Sequence, residues 1–130
     1  MIGVRLGVVA AFILIAIAGS GLAAQKLAFD EARFAATQQA NRPILVEISA
    51  PWCTVCKLQK PIIERLAAKP EFKDLTIFEV DFDTQKDAVR ALGAHSQSTL
   101  IAFRGTTETG RSVGNTHEGS IEALARSALQ

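Results

Sequence analysis

The chain of 130 residues carries 14 basic and 13 acidic side chains, a formal net charge of +1, and 48% of its residues are apolar. That is enough chain and enough apolar content for one packed domain, and it excludes a globally disordered or low-complexity protein. With no basic block and no basic patch interleaved with aromatics, neither nucleic acid nor a strongly charged partner is expected.

The amino-terminal segment differs from the rest. Arg5 precedes an apolar run over residues 6–18, broken only by Gly7, and residues 19–24 are small and turn-prone. Residues 1–24 therefore read as a secretory signal peptide, cut after Ala23 or Ala24. An uncleaved membrane anchor is the rival reading, because no charge falls between Arg5 and Lys26 and the interval has bilayer-spanning length. In both cases the positive charge of Arg5 orients the domain outside the cytoplasm. The expected location is periplasmic, with the domain either free or anchored to the inner membrane.

From Lys26 onward helices and strands alternate. Asp30 can cap a helix carrying Phe29, Ala32, Phe34 and Ala36 that ends near Asn41 and Pro43. Residues 44–48 form a short apolar run bounded by Pro43 and Pro51, as in a strand buried on both faces, and Glu47 is its one interruption. The only two cysteines, Cys53 and Cys56, follow two residues apart. A helical period begins there, with Val55, Leu58, Ile62, Ile63, Leu66 and Ala67 on one side, and Pro61 inside it should kink the helix. Residues 75–80 read as a second strand, and residues 81–84 as a turn capping a helix over 85–92 that Gly93 stops. Residues 99–103 read as a third strand, 105–110 as a polar hairpin turn, and 111–113 as a short fourth strand before an amphipathic helix over 120–129. This order predicts an α/β sandwich with a central mixed β-sheet of about four strands flanked by helices.

A C-x-x-C pair is ordinarily a redox dithiol or half of a metal site. A zinc site would need a second Cys or His pair at matching spacing, and His95 and His117 stand apart from each other. No cofactor is expected. A strand that passes directly into a helix puts Cys53 at the helix N-terminus, where unpaired N–H groups and the helix dipole stabilise a thiolate. Cys53 is then the attacking sulfur, and Cys56, one turn further on and more enclosed, resolves the mixed disulfide. A purely structural bridge closing so short a loop would constrain the unfolded chain only weakly.

The stretch Trp52-Cys53-Thr54-Val55-Cys56-Lys57 matches the W-C-x-x-C-K motif of the thioredoxin family. Pro61 matches the proline that kinks that family's active-site helix, and Gly114 a glycine after its last strand. The chain resembles this family over about residues 27–130. Asp30-Glu31-Ala32, Asn41-Arg42-Pro43 and the Thr54-Val55 pair make it most similar to exported reductant domains.

The resemblance implies a thiol-disulfide oxidoreductase that works as a disulfide reductase or electron relay. The periplasmic disulfide-forming oxidases carry a helical insertion that the segment between Lys69 and Thr99 is too short to hold. Implied substrates are disulfide-containing exported proteins, including apocytochrome thiols in cytochrome c biogenesis. A membrane thiol transporter is the implied electron donor, and the protein is expected to be a monomer. Trp52 is either a core aromatic or, as the resemblance implies, a platform for an extended substrate, and Lys57 is either a charge acting on the thiols or a solvated side chain. Glu47 stands where the family has a buried aspartate, and is either the proton acceptor for Cys56 or a structural carboxylate.

Gln97 and Ser98 are the implied substrate-binding backbone. Ser98 stands where the family has a cis-proline, and because a non-proline cis bond costs about 2.5 to 4 kcal/mol, a trans Gln97–Ser98 peptide is expected. This departure leaves a second class open, a redox-inactive binding module using the same groove, or a relative that holds a metal with Cys53, Cys56 and His95.

Overall fold

The computed structural model describes residues 21–130 together with Gly3, so the signal peptide or anchor expected over residues 1–24 lies almost wholly outside the described residues. No helix among the described residues is long and apolar enough to cross a membrane. In chain order the elements are β1 (Gln25–Ala28), α1 (Glu31–Gln39), β2 (Pro43–Ser49), α2 (Thr54–Ala67), β3 (Thr76–Asp81), α3 (Lys86–Ala91), β4 (Thr99–Arg104), β5 (Thr107–Val113) and α4 (Glu118–Ser127), with a 3-10 turn over Pro70–Phe72.

The strands form one sheet in the order β1-β3-β2-β4-β5. The two pairings β1–β3 and β2–β3 are parallel, and β2–β4 and β4–β5 are antiparallel. The sheet is mixed, as expected, but it has five strands where the sequence pattern indicated about four. The additional strand is β1, whose Gln-Lys-Leu-Ala sequence is mostly exposed and has one large apolar side chain, so no alternation marks it. It forms because β3 offers it a free edge, a partner some fifty residues away in the chain that local pattern does not reveal. The hairpin also differs. β5 begins at Thr107, so the turn is tight around Gly105, and a register irregularity lies between Ala102 and Phe103. The polar, charged sequence shows only residues 111–113 of β5 as a strand, and the full element blunts the far edge of the sheet.

All seven residues of β2 are buried, which fits its place in the middle of the sheet. Its alternate side chains enter two separate cores. Leu45 joins Ile62, Ile63 and Leu66 of α2, Ile77, Leu100, and Ile121 and Ala125 of α4. Ile44, Val46 and Ile48 face the α1 and α3 side with Phe78, Val80, Val89, Ile101 and Phe103. On that second side Phe29, Phe34, Phe78 and Phe103 stack with ring centroids 5.4 to 6.1 Å apart. Asp30 caps α1 by accepting the Arg33 N–H at 2.8 Å, as its position predicted.

Gly105 makes the hairpin possible. Its φ is +57°, and a Cβ there would lie 2.7 Å from Asn41 Oδ1 and 3.1 Å from the backbone oxygen of Gln38. Gly105→Ala therefore adds both a left-handed alanine and a steric overlap with backbone, and we expect it to lower unfolding free energy by about 1 to 3 kcal/mol in denaturant titrations. A variant as stable as the native chain would show that the hairpin and the end of α1 separate without cost.

Candidate active site

The turn from β2 to α2 builds the site. Ala50, Pro51 and Trp52 close it, with the Cys53 N–H donating to the Ala50 carbonyl at 3.1 Å. Cys53 is the N-cap of α2, and its Sγ accepts the Cys56 N–H at 3.1 Å, so the sulfur takes the place a cap side chain usually fills. Cys53 and Cys56 are joined by a disulfide. Both are buried, Cys53 at 3% exposure and Cys56 at 0%, against Ala50, Val55 and Phe82. The Cys56 sulfur is the more enclosed of the two, as its place one turn into the helix predicts. Lys57 is exposed, a solvated side chain on the helix surface.

Trp52 is 57% exposed, so it is not a core aromatic. Its indole N–H donates to Asp83 Oδ2 at 2.7 Å. Asp83 is held in turn by the preceding loop, where Asp81 Oδ1 accepts the N–H groups of Asp83 and Thr84, both at 2.9 Å. Sequence reading assigned these residues only to a turn. The geometry adds that the turn fixes the indole beside the cysteines.

Glu47 is fully buried, and neither of its carboxylate oxygens has a hydrogen-bond partner among the described residues. Two ammonium groups approach it: Lys26 Nζ lies 3.4 Å from Oε2 and Lys60 Nζ 3.9 Å from Oε1. These are counter-charges at long range, not directed hydrogen bonds. Glu79, the register partner of Glu47 on β3, accepts from Lys60 Nζ at 3.0 Å and from Ser49 Oγ at 3.2 Å, and lies 3.7 Å from Lys26 Nζ. Burial pushes the Glu47 carboxyl above the ordinary range, against the pull of Lys26 and Lys60 and with the push of Glu79. For Glu79 burial acts in the same direction but is outweighed by the hydrogen bond and charge of Lys60, with Lys26 and Ser49, and its carboxyl is held low. Burial opposes the Lys60 charge, yet the hydrogen bond to Glu79 and the two carboxylates lift it. Two neighbouring carboxyls are thus driven apart, one toward the acid and one toward the anion.

Lys26, Lys60 and Glu79 escaped sequence reading. Lys60 stands four residues past Cys56 and Glu79 sits at the matching strand position to Glu47, but only the sheet register joins them. Lys26 belongs to the strand that sequence pattern did not reveal.

On the other wall, no peptide bond among the described residues is cis, in keeping with the trans Gln97–Ser98 bond expected. Ser98 instead adopts φ +56°, in the left-handed region. It is buried, Gln97 is half-buried and His95 is exposed. The Ser98 carbonyl accepts the Gly114 N–H at 2.9 Å and Gln59 Nε2 at 3.2 Å. Among the described residues no three His, Cys, Asp or Glu side chains gather as a metal-holding set, so His95 does not join the cysteines. His117 caps α4, its Nδ1 accepting the Ser120 N–H at 3.3 Å.

The sequence profile of the family described as Thioredoxin matches residues 25–127. The chain belongs to the thioredoxin family. Its C-x-x-C disulfide is that of a thiol-disulfide oxidoreductase, the class whose substrates are disulfides. Thioredoxin Asp f 29 of Aspergillus fumigatus is 31% identical over 77 residues, 59% of this chain and 70% of that protein. The thioredoxin of Mycobacterium bovis is 36% identical over 74 residues, 57% of this chain and 63% of that one. Among solved structures, Trxlp from Edwardsiella tarda superposes with a TM-score of 0.76 at 37% identity, covering 78% of this chain and 98% of that one.

In this thioredoxin-family protein the raised Glu47 carboxyl carries a stability signature. As pH rises above the ordinary carboxylate value of 4.5, the unfolded chain ionises at Glu47 first and the folded state is penalised until its own raised value is passed. Lys26, Lys60 and Glu79 are the charged groups that face Glu47. We expect the stability of Glu47→Gln relative to native to improve as pH rises from about 4.5, by about 1.4 kcal/mol for each unit separating the folded and unfolded values. Denaturant titrations at several pH values read this directly, and parallel curves for the two proteins would show that Glu47 ionises normally in the fold.

Proposed function

We propose that the protein is a disulfide reductase or electron relay acting outside the cytoplasm on exported disulfide proteins. The observation that carries the reading is the pairing of a cysteine N-cap with a buried carboxyl beneath the same helix. Cys53 Sγ faces the Cys56 N–H at the start of α2, and Lys60 of that helix reaches Glu47. In the reduced protein the Cys53 thiolate, favoured by those N–H groups, attacks one sulfur of a substrate disulfide and expels the other as a thiolate. Cys56 then gives its proton to Glu47 in its ionised form, a stronger base for being buried, and attacks Cys53 Sγ, which releases the second substrate thiolate and closes the Cys53–Cys56 bridge. Two electrons have passed to the substrate, and a dithiol donor must restore the pair.

The location rests on the leader read in residues 1–24, cleaved or retained as an inner-membrane anchor. A membrane thiol transporter is the donor suited to that side of the membrane, and apocytochromes, whose oxidised cysteine pair it would return to thiols, are among the substrates such a relay would serve. The reductive direction is supported by the short path between Lys69 and Thr99, which holds only a 3-10 turn, β3 and the six-residue α3. Trp52 and the Gln97–Ser98 backbone are the proposed substrate contacts, and the working unit is a monomer.

Insulin reduction with a dithiol donor tests the chemistry. Cys53→Ser is expected to lose turnover to the uncatalysed level, and activity surviving that change would sink the assignment of Cys53 as nucleophile. The Cys53/Cys56 couple is expected near the thioredoxin value of about −270 mV, whereas a value near −120 mV would make the protein an oxidant. Glu47→Gln should slow turnover at neutral pH by about 100-fold with the fold intact, the lower end of what a lost general base costs. Kinetics indifferent to this change across pH would leave Glu47 a structural carboxylate.

A further inference from the structure

Gln59 lies on α2 three residues beyond Cys56 and is fully buried. Both of its amide donors point to backbone: Nε2 donates to the Ser98 carbonyl at 3.2 Å and to the Asn115 carbonyl at 2.9 Å. Its own carbonyl, Oε1, has no partner among the described residues. An apolar residue would leave no such orphan in the core, so the position is costly unless the two donated bonds matter. They join three separate pieces of chain: the cysteine-bearing helix, the loop that enters β4, and the loop that follows β5.

The loop entering β4 needs such a hold. Ser98 is a left-handed non-glycine residue, a conformation that persists only where its surroundings over-determine it. Its carbonyl is gripped twice, by Gly114 N–H and by Gln59. Its place is set by register: Thr99 pairs with Ile48, so Ser98 stands beside the end of β2 from which the turn to Cys53 departs. The second loop is ordered too, with Asn115 Oδ1 accepting the His117 N–H at 2.9 Å.

We propose that Gln59 is a positioning residue that clasps the Ser98 and Asn115 loops to α2 and so sets the wall on which a protein disulfide is seated. The proposal deepens the oxidoreductase reading above and rests on it. The clasp acts on docking and leaves the chemistry of the sulfurs alone, so it selects protein disulfides over small ones.

The test is Gln59→Leu, which keeps the volume and removes the donors together with the orphaned carbonyl, with Gln59→Met as the more adaptable variant if leucine does not fold. Insulin and hydroxyethyl disulfide serve as the protein and small substrates. The expected result is an approximately tenfold loss of kcat/KM on insulin, mainly through KM, with the small disulfide changed by less than about twofold and the reduction potential unchanged. Backbone hydrogen exchange should quicken at residues 96–98 and 114–116. Equal losses on both substrates, or no loss on insulin, would overturn the selection role while the native activity still stands. Unchanged exchange in both loops of a folded variant would overturn the clasp whatever the activity. A native chain that reduces neither substrate would overturn the oxidoreductase reading, and the selection role with it.

Discussion

A carboxyl sealed in the central strand governs how this site is built. An ion buried without hydrogen bonds costs several kcal/mol, and a protein answers by protonating it or by bringing counter-charge. Here both answers are in force: Glu47 is held toward its acid form by burial, and Lys26 and Lys60 stand within 3.4 and 3.9 Å of it. Those lysines come from β1 and α2, and Glu79 on β3 completes the group. Four elements are therefore tied to one electrostatic balance under the helix that carries the cysteines.

The oxidised pair sits nearly closed. Cys53 is 3% exposed, and the exposed Trp52, pinned by Asp83, is the broad apolar surface of the turn that carries it. The facing wall is fixed by backbone carbonyl bonds from Gly114 and Gln59, with Ser98 in a conformation a proline could not adopt, since proline is locked at negative φ. Family membership thus coexists with a different way of holding this loop.

Much of this was legible in the chain because the signals were local. The Asp30 cap, the apolar run around Glu47, the C-x-x-C spacing and Gly93 and Gly114 each act within a few residues, and each marked its element. What escaped depends on partners distant in sequence. The strand β1 carries almost no pattern and exists because β3 has an edge for it. The first half of β5 looks like a turn because its side chains face water, and only residues 111–113 read as a strand. Lys26, Glu79 and Gln59 acquire meaning only once parallel register and helix packing bring them to Glu47, Ser98 and Asn115. A buried glutamine at a helical core position is a signal in principle, but nothing in sequence distinguishes it from a surface glutamine on the same helix.

The sheet also acts as a partition. Glu47, Glu79, Lys26 and Lys60 all lie on the α2 side, beside the apolar core that α2 and α4 pack on the sheet, while the opposite side is closed by Phe29, Phe34, Phe78, Phe82 and Phe103 with aliphatic side chains. Both faces therefore contribute to cohesion, and the charge cluster around Glu47 is confined to one of them. A substitution among the phenylalanines can thus change how tightly the sheet is held without removing any charge around Glu47.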